Sequence, residues 1–245
     1  MIGGGGLRVQ ILYLSKKKII WYGVIVLLTM TLGLGIYTYS LRALVLPTTK
    51  MDPIYQGNAD KKAIALTVNV DWGEEFIPKM LNVFETKEVK ATFFLSGKWV
   101  EKHPELVKEI SAKGHELGNH GYSHPHPDQL SIHENIQEIK KTEAAIEEIT
   151  QIKTNLFAPA YGEKKPHVVE AASKAGYKTI YWSLDTIDWQ KPKPSTIVDR
   201  IVPRAFNGAI VLMHPTENTV LALPEIIHKL KQQGYSFLTI SEIIN

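Results

Sequence analysis

Two histidines, His120 and His124, lie four positions apart in a segment that cannot form a long helix, because Gly118 and Gly121 interrupt it and Pro125 follows. Imidazole is the commonest protein ligand for divalent transition metals. A turn that brings both rings to one point would supply half of a metal site, and such a site suggests hydrolysis. For a single histidine, a hydrogen bond to the backbone would be the simpler explanation.

Metal binding in this chain depends on histidine and carboxylate side chains, because none of its 245 residues is cysteine. Disulfides, zinc ribbons and thiol catalysis are thereby excluded. Asp71 is a carboxylate that directly follows the first apolar run. It can cap the helix predicted to begin at Glu74, but a capping residue can also take part in a site.

Other reactive side chains also follow apolar runs that we interpret as strands. In α/β barrels the chemistry lies on the loops after the strands. Five such endings are hard to explain by packing alone, so we expect their side chains to meet at one rim. They are Asn69, Asp71 and Trp72 after the first run, His120 and His124 after the third, Pro159 and Tyr161 after the fourth, Asp185, Asp188 and Trp189 after the fifth, and His214 after the sixth.

Each remaining candidate also has a simpler structural explanation. Asp185 and Asp188 can cap the turn that follows them, and the sequence favours neither role. His214 is as consistent with a buried structural histidine as with a catalytic one. Tyr161 and Trp189 can be core aromatics, but their place in turns favours the walls of a sugar-sized cleft. The other histidines are expected at the surface or at caps: His103, His115, His126, His133, His167 and His228.

Residues 62–245 alternate short apolar runs with amphipathic stretches, which predicts a parallel sheet or barrel of the α/β class. This length suffices for one well-buried domain. Ser131 and Glu134 form a capping-box pattern at the start of the longest helix of this part. The predicted strands are 63–68, 91–95, 115–119, 156–157, 179–184, 209–213 and 236–239, and the predicted helices are 74–88, 104–113, 131–150, 166–174, 194–205 and 224–233.

Residues 19–41 contain no charged side chain and would form a transmembrane helix about 35 Å long. Three lysines precede the run, so the positive-inside rule places residues 1–18 in the cytoplasm and the body outside the cell membrane. We therefore predict a single-pass anchor, a linker at 42–61 and a domain at 62–245. A cleaved signal peptide, which would give a secreted protein, is the alternative.

Charge is divided unevenly along the chain. Residues 1–50 carry six basic and no acidic residues, whereas residues 51–245 carry 22 basic and 25 acidic residues. A mildly acidic body lacks the basic face that nucleic-acid binding calls for, so we expect no nucleic-acid partner.

Taken in order, the five strand endings resemble the motifs of the polysaccharide deacetylase family, the NodB-like carbohydrate esterases. The resemblance covers about residues 62–240 and implies a distorted (β/α) barrel of the NodB type. Residues 69–75 and the apolar N-terminal helix look most like the sporulation-associated branch of spore-forming bacilli. The later motifs are H-[ST]-x-x-H at 120–124 with Gly121 in the second place, R-x-P-Y in part at 158–161, D-x-x-D-W at 185–189 and L-x-H at 212–214.

The resemblance also implies a cofactor and a mechanism. In this family an Asp and two His bind a divalent metal, usually zinc, that polarises water and the acetyl carbonyl. A second Asp takes a proton from the water, and a His protonates the leaving amine. Carried over, the metal ligands are Asp71, His120 and His124, the catalytic positions are Asn69, Asp71 and His214, and the cleft residues are Pro159, Tyr161, Asp185, Asp188 and Trp189, with the Tyr161 backbone N–H facing the oxyanion.

Two positions depart from the family pattern. Asn69 stands where the family has its base, and Ala158 stands where the family has the Arg that orients the base. An amide cannot accept a proton near neutral pH. Three explanations are open: the base was lost, Asp71 serves as base and leaves two His for the metal, or Glu74 or Glu75 reaches in.

The motifs favour a hydrolase that removes N-acetyl groups from peptidoglycan or a related cell-wall glycan. Loss of a general base typically costs about 10²–10⁴-fold in rate, so a slow enzyme is compatible with the substitutions. The alternative is a glycan-binding or scaffolding homologue that keeps the metal site but lacks the base. A barrel with a fully vestigial site and no metal is the third hypothesis.

Overall fold

The structure, a computed structural model, describes residues 15–44 and 52–245, and the chain divides into two units between Thr48 and Thr49. The predicted cytoplasmic segment before Ser15 and the predicted linker residues 45–51 lie outside the described residues. The first unit contains helix α1 (Lys16–Leu44). Its segment Lys16–Tyr37, of 22 residues with a mean hydropathy of 2.2, is long and apolar enough to cross a membrane, and none of it is buried in the protein. The apolar helix expected at 19–41 is therefore present, although a signal sequence has the same features.

The second unit is built on a parallel sheet of eight strands among its described residues. The strands are β1 (Ala63–Val70), β2 (Thr92–Leu95), β3 (Glu116–Asn119), β4 (Leu156–Phe157), β5 (Lys178–Thr179), β6 (Leu184–Asp185), β7 (Ala209–Met213) and β8 (Ser236–Phe237). The strand order is β5-β4-β3-β2-β1-β7-β6, and β8 pairs with the start of β1. The sheet curls into an open barrel whose ends are β5 and β6, which is the distorted (β/α) barrel that we expected.

Amphipathic helices connect the strands and bury one face each against the barrel. The longest of them begins after Ser131, whose hydroxyl accepts from the Glu134 N–H while the Glu134 carboxylate accepts from the Ser131 N–H, as the capping box predicted. The helices of the second unit are α2 (Ile77–Thr86), α3 (Gly97–Lys102), α4 (Pro104–Ala112), α5 (Ile132–Thr150), α6 (Pro166–Lys174), α7 (Pro194–Ile201), α8 (Glu217–Gln232) and α9 (Ile240–Ile244).

Side-chain alternation in β1 divides the core into an outer and an inner layer. Ile64, Leu66, Val68 and Val70 belong to the cluster that packs against the helices. Ala63 and Ala65 belong to the smaller cluster inside the barrel. The same period of two places Thr67 and Asn69 on the inner face. All three core clusters draw on residues from Ile54 onward, so a fragment of residues 52–245 contains its complete core.

One predicted strand, 179–184, is wrong. The structure has two short strands there, because β5 pairs with β4 at one end of the sheet and β6 pairs with β7 at the other. Residues 180–183 cross the gap between these ends. The Ile180 N–H donates to the Phe157 carbonyl, whereas the Ser183 N–H donates to the Ile210 carbonyl.

Two helices were missed, and two predicted helices have different ends. Helices α3 and α9 were not predicted, because each is short and has little apolar periodicity. Helix α8 begins at Glu217 rather than at 224, since Thr216 accepts from the Thr219 N–H and caps it, and Pro224 lies inside the helix. Helix α7 ends at Ile201 and continues as a 3₁₀ turn at Val202–Arg204, which contains Pro203.

The body begins before residue 62. Ile54 forms a parallel bridge with Ile180, and Gln56 forms an antiparallel bridge with Ala209. These two residues were predicted to be part of a linker, but their backbone hydrogen bonds make them part of the barrel.

His115 gives the fold a pH dependence. Its ring centroid lies 5.4 Å from that of Phe84 and 5.2 Å from that of Phe93, and its Nδ1 accepts from the Ala91 N–H at 3.1 Å. Burial, with a smaller contribution from Lys90, lowers the pKa of His115 from 6.5 to about 4. The unfolded chain therefore binds a proton more readily than the folded chain between these two values.

We expect burial of neutral His115 to account for up to about 3 kcal/mol of the unfolding free energy that the fragment 52–245 loses as the pH falls from 6.5 to 4. This contribution is fully present above pH 6.5. The variant His115→Asn keeps an acceptor near Ala91 and should make this part of the profile less steep, as measured by urea unfolding at each pH. The exposed His228, changed to Asn, is the control. An unchanged slope in His115→Asn would contradict the assignment.

Candidate active site

The strand endings predicted to meet do meet. A cavity of about 480 Å³ opens at the carboxyl ends of the strands. Trp182, Leu212 and Gly162 join the predicted residues there, and Pro159 and Asp188 are absent from the lining. The lining residues are Asn69, Asp71, Trp72, His120, His124, Tyr161, Gly162, Trp182, Asp185, Trp189, Leu212 and His214.

His120 is held as a neutral imidazole with one nitrogen free. It follows β3, is buried, and its Nδ1 lies 2.6 Å from the Ala158 carbonyl oxygen. Burial, reinforced by the neighbouring His124, lowers the pKa of His120 from 6.5 to about 3. A neutral ring must donate from Nδ1 to a carbonyl, so Nε2 keeps its lone pair for a ligand.

His124 lies beside His120, with 4.9 Å between the two ring centroids. Its backbone has a φ of 52°, which turns the chain back toward the cavity. Desolvation lowers the pKa of His124, and the neighbouring Asp71 opposes this shift. The rings of His120 and His124 are therefore both uncharged at neutral pH, which is the state in which an imidazole can bind a metal ion.

Asp71 faces the cavity and does not cap a helix. Gly73, with a φ of 82°, occupies the N-cap of the following 3₁₀ turn. One carboxylate oxygen of Asp71, Oδ1, accepts from the Ser96 hydroxyl at 2.6 Å. The other, Oδ2, lies 3.9 Å from Nδ1 of His124. Ser96 is fully buried, so it fixes the orientation of this carboxylate.

The donor chemistry of these three side chains fits a zinc-type ion. Two neutral imidazoles and one carboxylate are a common zinc ligand set, and His120 and Asp71 each have one hydrogen-bonding partner that orients them. In the described part of the chain, however, no three His, Asp or Glu residues already lie in coordinating geometry. Metal binding by Asp71, His120 and His124 is therefore part of the proposal below.

A buried aspartate orients His214. Nδ1 of His214 lies 2.8 Å from Oδ1 of Asp188, and the other oxygen of Asp188 accepts from the His214 N–H at 2.7 Å and the Thr219 hydroxyl at 2.6 Å. Asp188 has no exposed surface, so it cannot touch a substrate as we had expected. It lies behind His214, whose ring reaches the cavity.

Asn69 occupies the inner face of β1 and lines the cavity, with 6% of its surface exposed. Neither Glu74 nor Glu75 lines this cavity, and Glu74 lies 3.6 Å from both Lys102 and His103. Glu74 and Glu75 therefore do not take the place of the missing base in this cavity. Ala158 is also buried, and its carbonyl accepts the hydrogen bond from Nδ1 of His120.

Aromatic side chains form the walls. The Trp72 ring is stacked on the His214 ring, with 5.9 Å between centroids and 9° between planes. Tyr161 and Trp189 are 58% and 56% exposed, which is unusual for residues of this size and suits contact with a ligand. The Tyr161 N–H, at a backbone φ of 58°, has no acceptor in the described chain.

Two cleft expectations are changed by the structure. Pro159 is buried beneath the turn, where its carbonyl accepts from the Gly162 N–H, and it forms no wall. Asp185 lines the cavity and also accepts from the Ile187 N–H at 2.8 Å, so its carboxylate shapes the turn as well.

Sequence reasoning missed several residues near the cavity. His126 is exposed, as expected, but its ring also stacks on Tyr161 at 4.1 Å and its Nδ1 lies 2.8 Å from Glu163. Its position two residues after His124 was the available signal. Ser96, Thr219 and Trp182 carried no sequence pattern that would have indicated their roles.

Curated relatives of the chain act on cell-wall glycans or lack an assigned activity. The polysaccharide deacetylase family model matches residues 56–180. YlxY of Bacillus subtilis, an uncharacterized protein, is 39% identical over 210 residues, which are 86% of this chain and 66% of YlxY. A peptidoglycan-N-acetylglucosamine deacetylase of Bacillus cereus is 35% identical over 191 residues, or 76% of this chain and 70% of that protein.

Solved structures point to the same family. BA3943 from Bacillus anthracis, described as a CE4 family pseudoenzyme, has a TM-score of 0.78 and 42% identity over 80% of this chain and 69% of its own. A BA3943 mutant described as having restored enzymatic activity has a TM-score of 0.78 and 40% identity over 80% of this chain and 72% of its own. The chain therefore belongs to the polysaccharide deacetylase family, and its open barrel is the fold of that family.

We expect Ser96→Ala to weaken zinc binding by the fragment 52–245 about 10- to 100-fold, because the Asp71 carboxylate loses the hydroxyl that orients it. Competition with a zinc chelator measures the affinity. Thr67→Val is the matched control, since it removes a buried hydroxyl of β1 that donates to the Val211 carbonyl and lies outside the cavity lining. Equal zinc affinity in Ser96→Ala and Thr67→Val would contradict an orienting role for Ser96.

Proposed function

We propose that this protein binds N-acetylated cell-wall glycan in a metal-containing cleft and has an impaired capacity to deacetylate it. The observation that carries this proposal is Asn69, an amide that lines the cavity at the position of the family's base. Asp71 is the nearest alternative base, but Ser96 holds one of its oxygens and the other faces His124. The sequence had favoured the hydrolase, and these contacts favour the binding protein.

Asp71, His120 and His124 would hold a divalent ion, for which zinc is the expected identity because the donors are two imidazoles and a carboxylate. When bound, the ion supplies a Lewis acid for the acetyl carbonyl. The neutral state of His120 prepares it as a ligand. The Tyr161 N–H faces no protein acceptor and is available to the carbonyl oxygen of the bound group.

His214 keeps the features of a general acid. Asp188 accepts a hydrogen bond from its Nδ1–H, which leaves Nε2 as the nitrogen that can deliver a proton to a leaving amine. At the position of the family's base, which removes a proton from the attacking water, the cleft holds the amide of Asn69. Amide nitrogen and oxygen are not basic enough for this near neutral pH.

Slow deacetylation is the second candidate function. The intact His214–Asp188 pair favours it, and so do the deacetylase names of several relatives at 32–35% identity. Asp185 is the other carboxylate that lines the cavity, and it would be the base of such a reaction. A rate about 10²–10⁴-fold below that of an enzyme with its base in place is then expected.

We propose that residues 1–18 form a cytoplasmic segment, that residues 19–41 form the anchor, and that the barrel, which begins at Ile54, lies outside the membrane. This arrangement would place the cleft against the cell wall. The apolar helix α1 and the cell-wall names of the relatives support an extracytoplasmic body. A role in sporulation is proposed on the resemblance of residues 69–75 and of the apolar N-terminal helix. A cleaved signal would give a secreted form of the same domain.

Restoring the base should restore turnover. With zinc present, we expect Asn69→Asp in the fragment 52–245 to release acetate from N-acetylglucosamine oligomers or peptidoglycan at least about 10²-fold faster than the unchanged fragment. The double variant Asn69→Asp, His214→Asn should lose this gain, because the acid is then missing. Rapid acetate release by the unchanged fragment would refute impairment and favour the deacetylase.

The anchor is tested in cells. We expect the full chain to sediment with membranes and its body to be digested by protease added outside the cytoplasmic membrane. A chain without residues 1–44 should stay in the cytoplasm. Recovery of the body in the medium, shortened at its N-terminus, would show a cleaved signal instead.

A further inference from the structure

The Asn69 side chain turns its hydrogen-bonding atoms to the cavity. Asn69 is 6% exposed, lies on the inner face of β1 and borders the same cavity as His120 and His214. In the described part of the chain, no hydrogen bond involves its side-chain oxygen or nitrogen, whereas its neighbour Thr67 on the same face donates to the Val211 carbonyl. Neither atom is among the fully enclosed atoms that lack a partner, so both are accessible from the cavity and available to a ligand that enters it.

The charge of this position matters as much as its hydrogen bonds. A carboxylate there would add a third negative side chain to a cavity already lined by Asp71 and Asp185. Such a cavity would attract the ammonium group of a deacetylated amino sugar. Asn69 removes that charge but keeps an acceptor and adds two N–H donors. An acetamido group is neutral and offers one donor and one acceptor, either of which an amide side chain can satisfy.

We propose that Asn69 is a recognition residue for the acetamido group, and that the cleft distinguishes N-acetylated from deacetylated glycan. This inference rests on the proposed function, since it assigns the acetylation state of the glycan that the cleft holds. The amide of Asn69 thus favours the acetylated glycan, whereas a carboxylate at this position would favour the deacetylated one. The acetamido group donates to or accepts from Asn69. The ammonium group of the deacetylated sugar has one carboxylate fewer to pair with than it would have if residue 69 were Asp.

The test measures binding by calorimetry to the tetramers of N-acetylglucosamine and of glucosamine. It uses the metal-free fragment 52–245, so that neither turnover nor a metal contact contributes, at about pH 6, where the amine is protonated. We expect the unchanged fragment to bind the acetylated tetramer at least tenfold tighter. Asn69→Leu should lose most of this preference by weakening the acetylated complex, and Asn69→Asp should shift the preference toward the amine.

Thr67→Val, on the same face but outside the lining, should leave both affinities unchanged. Asn69→Ser replaces Asn69→Leu if the latter does not fold, as judged by thermal unfolding. Equal affinity of the unchanged fragment for both tetramers, or an unaltered preference in the Asn69 variants, overturns the inference while leaving glycan binding intact. Failure of the unchanged metal-free fragment to bind either tetramer overturns the inference. Failure to bind the tetramers and peptidoglycan with zinc present overturns the proposed function as well.

Discussion

The site depends on the register of one strand. β1 is paired in parallel on both sides, with Asn69 opposite Phe94 of β2 and Val68 opposite Met213 of β7. This double pairing fixes which side chains of β1 face inward, and it brings the loops that carry Asp71 and His214 to the same rim. A slip by one residue would turn Asn69 into the helix layer and replace it with an aliphatic side chain.

Close packing at this rim then sets finer positions. Gly73 has a positive φ and leaves no room for a β-carbon beside Pro215, so only glycine allows the loop after β1 to approach the loop after β7. That approach brings Trp72 onto the ring of His214. Orientation of the polar groups comes from buried partners, Ser96 for Asp71 and Asp188 for His214, rather than from the exposed walls.

Much of this could be read from the sequence. Apolar runs bounded by turns predicted β7 at its observed ends, and the rim position of the reactive residues followed from strand–helix alternation. The split of 179–184 could not be predicted, because periodicity does not tell which edge of an open sheet a short apolar run joins. Asp188 was predicted to line the cleft because the motif specifies only residue types. The position of its carboxylate behind His214 results from packing that the sequence pattern does not show. The buried position of Pro159 has the same origin.

The bridges of Ile54 to Ile180 and of Gln56 to Ala209 lie near the two ends of the curled sheet. They connect the segment before β1 to residues near both edges of the open barrel. A pulling force applied to the chain upstream of residue 52 would act on these two bridges before it acts on any strand of the barrel. The backbone hydrogen bonds of the bridges would break first, and the rim that carries the cleft would keep its shape.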